Sequence, residues 1–142
     1  MFHTPLDVRW VRGSKDKAIL LESLVYETVD GIFINVPKGF ETDFASIPRV
    51  FRIFFSKTGK YRDAAVIHDY LYGSQGFSLW NRKQVDQIFL QAMKDLGVGW
   101  TTRRTIHKAV RLGGGRYWRK CNVKRTKAEV KESGEGKASK SC

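Results

Sequence analysis

What most constrains this chain is a change of hydrophobic period near its middle. Up to residue 36, apolar residues alternate with polar ones. From Tyr61 onward they recur at spacings of three and four. The first pattern belongs to strands with one buried face, the second to helices with a buried stripe. Leu24 to Val29 and Ile32 to Val36 flank Asp30-Gly31. Asp-Gly between alternating runs predicts a tight antiparallel hairpin, because a two-residue turn needs positive φ at both positions. Val8 and Trp10 alternate with charged neighbours and predict a further strand, so residues 7–36 read as a small antiparallel sheet. Pro37, Gly39 and Pro48 then bracket KGFETDFASIPRVF, which reads as a loop.

Tyr61, Ala64, Ala65, His68 and Tyr72 share one face of a first helix, which Gly73 and Gly76 end. A second helix is expected over residues 81–96, with Val85, Phe89, Met93 and Leu96 inward. A third is expected over 102–112, with Ile106, Ala109 and Val110 inward and Gly113-Gly114-Gly115 stopping it. The expected fold is therefore α+β. A small N-terminal antiparallel sheet precedes three helices and a basic, flexible C-terminal tail. Residues 1–118 would form one domain and 119–142 the tail, with mobility expected from about Lys124.

A chain of 142 residues with nine Phe, five Tyr and four Trp can bury a core. No apolar run reaches the ~20 residues of a membrane span. MFHTPLDVRW does not read as a secretory signal. Cys121 and Cys142 both lie late and make no disulfide framework, so the fold is expected to stand in a reducing compartment. Two such cysteines and three scattered histidines also exclude a structural zinc site of usual spacing.

Net charge is +12, unevenly placed. Residues 103–127 carry ten Lys/Arg and no Asp/Glu, whereas residues 1–102 carry 13 basic and 11 acidic side chains. The basic segment interleaves Tyr117 and Trp118. It suits nucleic-acid phosphates or an anionic lipid surface, and equally a solubilising tail.

The chemistry concentrates in AAVIHDYLYG, residues 64–73. His68 lies on the packing face of the first helix, and Asp86 on the apolar stripe of the second. A buried Asp is costly unless a partner meets it, so a His68–Asp86 hydrogen bond across two antiparallel helices satisfies both. Asp69 points about 100° away from His68 and faces a cation or solvent. Arg82, one turn before Asp86, is a second partner for that carboxylate. Two readings remain open: a structural tie between helices, or a dyad in which carboxylate-oriented imidazole takes a proton from water. In the second, Ca²⁺ held by Asp69 would stabilise oxyanion charge. Ser46, His68 and Asp86 have the residue types of a nucleophilic triad, but no Gly-x-Ser-x-Gly elbow surrounds Ser46. A histidine-aspartate metallophosphohydrolase needs an earlier histidine, and His3 alone precedes the pair. His107 is expected at the surface.

GFETDFASIPR at 39–49, AAVIHDYLY at 64–72, RKQVDQIFLQAM at 82–93 and LGV at 96–98 together resemble a small family of unknown function. That family is widespread in tailed bacteriophages and prophages. The resemblance covers roughly residues 5 to 118 and implies phage origin, with the host cytoplasm or the virion as location and other phage proteins as partners. It implies no activity by itself. The order Ala-Ala-x-x-His-Asp-x-x-Tyr, then Asp-x-x-Phe, is also similar to the catalytic helices of phospholipase A2, notably the disulfide-poor bacterial and parvovirus-capsid types. That resemblance implies His68 as general base, Asp69 as Ca²⁺ ligand, and Tyr72 and Asp86 supporting the histidine. The glycine-rich calcium loop of those enzymes has no counterpart here, and Asp43 would have to supply a ligand instead. Thr42, Asp43 and Ser46 are expected near the His68 end of the first helix. The expectation is a small phage hydrolase using a His-Asp dyad and a divalent cation. The alternative is a non-enzymatic phage protein in which the pair is structural.

Overall fold

The computed structural model describes residues 1–14, 17–42, 61–73 and 80–132, with backbone alone from 121 onward. Among these residues, five strands precede three helices: β1 Val8–Trp10, β2 Ala18–Leu20, β3 Leu24–Glu27, β4 Phe33–Val36 and β5 Glu41–Thr42, then α1 Arg62–Gly73, α2 Arg82–Asp95 and α3 Trp100–Glu132. The fold is α+β, as the period change requires.

The strands form two small antiparallel sheets rather than one. β1, β2 and β5 pair in that order, and β3 pairs with β4. Alternation sets the register: Leu24 opposes Val36 and Tyr26 opposes Ile34, and all four point into the core. Two strands escape the sequence pattern. β2 is three residues long, and β5 pairs only Glu41 and Thr42 with it, from within the segment read as loop. The hairpin turn also differs from the two-residue form. The Gly31 N–H donates to the Thr28 carbonyl, and Thr28 and Ile32 pair around Val29-Asp30-Gly31. The connection has three residues, with Gly31 left-handed at φ +74°, the geometry of a type I turn followed by a bulge.

α1 is the central element. Ala64 through His68, Leu71 and Tyr72 are all buried. It packs on α2, α3, β4 and β5, and Ala64 and Ala65 are small enough to let neighbours close in. α2 starts on Asn81, whose side chain accepts from the Gln84 N–H while the Gln84 side chain accepts from the Asn81 N–H. It ends in a Schellman motif. Val98 N–H donates to the Met93 carbonyl and Gly97 N–H to that of Lys94, with Gly97 at φ +71°. Contacts run in opposite order along α1 and α2, since Tyr72 meets Arg82 while His68 meets Phe89; the pair is antiparallel.

α3 corrects the expected stop at Gly113-Gly114-Gly115. Its backbone continues through all three glycines to Glu132. Ile106, Ala109 and Val110 face the core as expected. Among the described residues, no helix is long and apolar enough to cross a membrane.

Candidate functional site

Asp86 is completely buried, and both its oxygens are occupied. Oδ1 accepts from the Tyr72 hydroxyl at 2.7 Å and from His68 Nε2 at 3.2 Å. Oδ2 accepts from Arg111 Nη1 at 2.8 Å, with Arg82 Nε 3.8 Å away. One carboxylate on α2 thus gathers donors from α1 and α3. Burial alone would push its carboxyl upward, but hydrogen bonds from His68, Arg111 and Tyr72 outweigh this and hold it below the ordinary carboxylate value. Tyr72 moves the other way, raised by burial and by the neighbouring Asp86 charge against the opposing pull of Arg82. It therefore stays a hydroxyl donor.

His68 is 1% exposed. Its ring lies between Tyr72, at 4.2 Å between centroids, and Phe89, at 4.7 Å. A carboxylate only accepts, so Nε2 carries the proton shared with Asp86, and in the neutral imidazole Nδ1 is the acceptor nitrogen. Among the described residues nothing hydrogen-bonds Nδ1.

The glycine run is the notch that admits this cluster. A Cβ on Gly114 would stand 2.9 Å from the Tyr72 hydroxyl, and one on Gly115 would stand 3.1 Å from Arg82 Nη1. With no side chain in the way, Arg82 reaches the α3 backbone. Its Nη2 donates to the Val110 carbonyl at 3.1 Å and to that of Arg111, while its Nε donates to Tyr72 at 3.2 Å. Arg82 is thus held chiefly by Tyr72 and α3, and only distantly by Asp86.

Thr42 Oγ1 donates to Asp69 Oδ2 at 2.7 Å, which ties the end of β5 to α1 beside His68. Asp43 and Ser46 lie outside the described residues. Among the described residues, no three His, Cys, Asp or Glu side chains converge as a metal set. One sequence reading needs correction. His107 is not a plain surface residue: it is half-buried, its Nε2 lacks a partner among the described residues, and burial lowers its pKa. Tyr117 and Trp118, interleaved in the basic segment, both pack on the Tyr72 ring. Arg111, Gly114 and Gly115 were missed as site residues. A groove of about 440 Å³ lies elsewhere, between the hairpin turn and the outer face of α2, lined by residues such as Val29, Asp30, Trp80 and Gln87.

Residues 18–110 match the model of a family described as a protein of unknown function, DUF1353. The chain belongs to this family. The match in DUF1353 spans every residue of the cluster up to Val110 and stops just short of Arg111 and the glycines. No curated protein and no solved structure matches the chain.

Proposed function

We propose that this DUF1353 chain is a non-enzymatic phage protein, a virion or tail-assembly component or a host-directed binding protein, in which the His68–Asp86 pair is a structural clamp. One observation carries the reading. The buried Asp86 carboxylate is filled by donors from α1 and α3, while His68 is 1% exposed. A carboxylate whose charge is met by Arg111 is not dedicated to an imidazole. Removing one member of such a buried set leaves the others uncompensated. Phage origin rests on the four sequence motifs.

A second reading keeps the hydrolase, of phospholipase A2 type, with His68 as base, Asp86 and Tyr72 supporting it, and Ca²⁺ at Asp69 and Asp43. It is favoured by the acceptor nitrogen of His68, which has no partner among the described residues, as a general base requires. Asp86→Asn and His68→Gln separate the two readings. On the clamp reading, Asp86→Asn lowers stability by about 2–4 kcal/mol. His68→Gln also lowers the melting temperature, and no lipid ester is hydrolysed with or without Ca²⁺. Turnover of lipid esters that His68→Gln abolishes at unchanged melting temperature would establish the hydrolase instead. So would a Ca²⁺-dependent rise in melting that Asp69→Asn removes.

A further inference from the structure

The outward face of α3 carries five exposed cations: Arg104, Lys108, Arg116, Arg119 and Lys120. At 100° and 1.5 Å per residue they fall within an arc of roughly 160°, over roughly 24 Å of helix. The opposite arc, through Ile106, Val110, Gly114 and Tyr117, faces the protein. Arg104 with Lys108 and Arg116 with Lys120 are like charges one turn apart, an arrangement that weakens a helix. Among the described residues none of the five makes an ion pair; the ion pair of α3 runs through Arg111. The first 102 residues are nearly neutral, so this face holds an unanswered local charge.

We propose that this face of α3 binds the phosphate backbone of duplex nucleic acid. Three observations select that partner among polyanions. The cations lie along one straight element, which suits a regular ladder of phosphates. Tyr117 and Trp118 are committed to Tyr72, so among the described residues no aromatic within the arc of the five cations offers a platform for unpaired bases. The apolar stripe of α3 is buried, and among the described residues the exposed large apolar side chains of this helix are Trp100 at its start and Leu112 within the cationic arc, two isolated residues that make no continuous apolar face. A bilayer-lying helix needs an apolar face to insert. Recognition is electrostatic, through phosphate contacts that position the helix and carry no sequence information themselves.

The inference deepens the binding-protein reading, and the two fail separately. Hydrolysis of lipid esters would sink the clamp reading, and the experiment below tests the surface alone. The full chain is titrated into short labelled duplex DNA, and in parallel duplex RNA, with anisotropy read at several salt concentrations. Binding should weaken steeply with salt. Lys108→Gln with Arg119→Gln should leave melting unchanged and reduce the slope of log K against log salt by about 2, near 0.9 for each phosphate no longer neutralised. Lys94→Gln, on α2, should leave the slope as it was. An unchanged slope in the α3 variant would overturn the proposal. So would tighter binding to vesicles of anionic lipid than to either duplex, which would reassign the face to a membrane.

Discussion

Gly114→Ala tests whether α3 is shaped to receive Tyr72. In a helix interior this change normally stabilises by about 1 kcal/mol, because alanine has the better propensity. Here the added methyl would stand 2.9 Å from the Tyr72 hydroxyl, closer than such a carbon sits to any neighbour. The hydroxyl must then leave Asp86, to which it donates at 2.7 Å, and Arg82, from which it accepts. A hydrogen bond to a buried charged group contributes about 1.5–3 kcal/mol. The net effect is therefore a loss of about 0.5–2 kcal/mol. For a chain of this size that lowers the melting temperature by roughly 2–7 °C. Circular-dichroism melts of three variants decide it. Gly73→Ala, whose methyl would meet nothing within 4 Å, should be close to neutral. In a Tyr72→Phe background the hydroxyl is gone, so Gly114→Ala should become neutral or stabilising, a non-additivity that reports direct contact. A Gly114→Ala protein that melts at or above the parent temperature would refute the packing.

Two pH dependences follow from the same cluster. The Asp86 carboxyl ionises below its ordinary value in the folded chain, despite burial, because His68, Arg111 and Tyr72 donate to it. The folded state then binds fewer protons than the unfolded state in the acid range. Asp86 therefore stabilises the fold above the ordinary carboxylate value, and this is lost as pH falls through the depressed one; urea unfolding across that range should show a shallower fall in Asp86→Asn. At the other extreme, burial raises Tyr72 and Tyr26 and pushes Tyr61 up to about 12. The unfolded chain loses these protons first, near pH ~10, so stability should decline above that pH. Phenolate absorbance of the folded protein should lag behind that of the urea-unfolded chain.

Much of this was legible because the signals are local. Period two placed the β3–β4 hairpin, and period 3.6 placed α1 and α2, the second of them capped by Asn81 and Leu96. His68, Tyr72 and Asp86 stood out as polar groups on apolar stripes, and such groups must find one another. What stayed hidden depends on partners distant in sequence. β5 is a two-residue strand held extended by pairing with β2, more than 20 residues earlier in the chain. Thr42 is expected near the His68 end of α1, but Asp69, which reads as facing a cation or solvent, is not legible as its partner. Arg111 read as one of ten cations in a basic run, since nothing within that run distinguishes an arginine facing Asp86 from one facing water.

The glycine run shows why the local reading failed there. Three consecutive glycines cost a helix about 3 kcal/mol relative to alanines, so in isolation they read as a stop. In the folded chain the absent side chains are what allow Arg82 to donate to two α3 carbonyls and Tyr72 to approach Gly114. Charge-assisted bonds of about 1.5–3 kcal/mol each are enough to offset the helical penalty. Helix α3 therefore passes through its weakest point only where α1 and α2 have already brought Tyr72 and Arg82 together. The Asp86 cluster holds the two halves of α3 in line. The exposed cations on either side of the glycines, Arg104 and Lys108 before them and Arg116, Arg119 and Lys120 after, share one face because the clamp keeps the helix continuous between them.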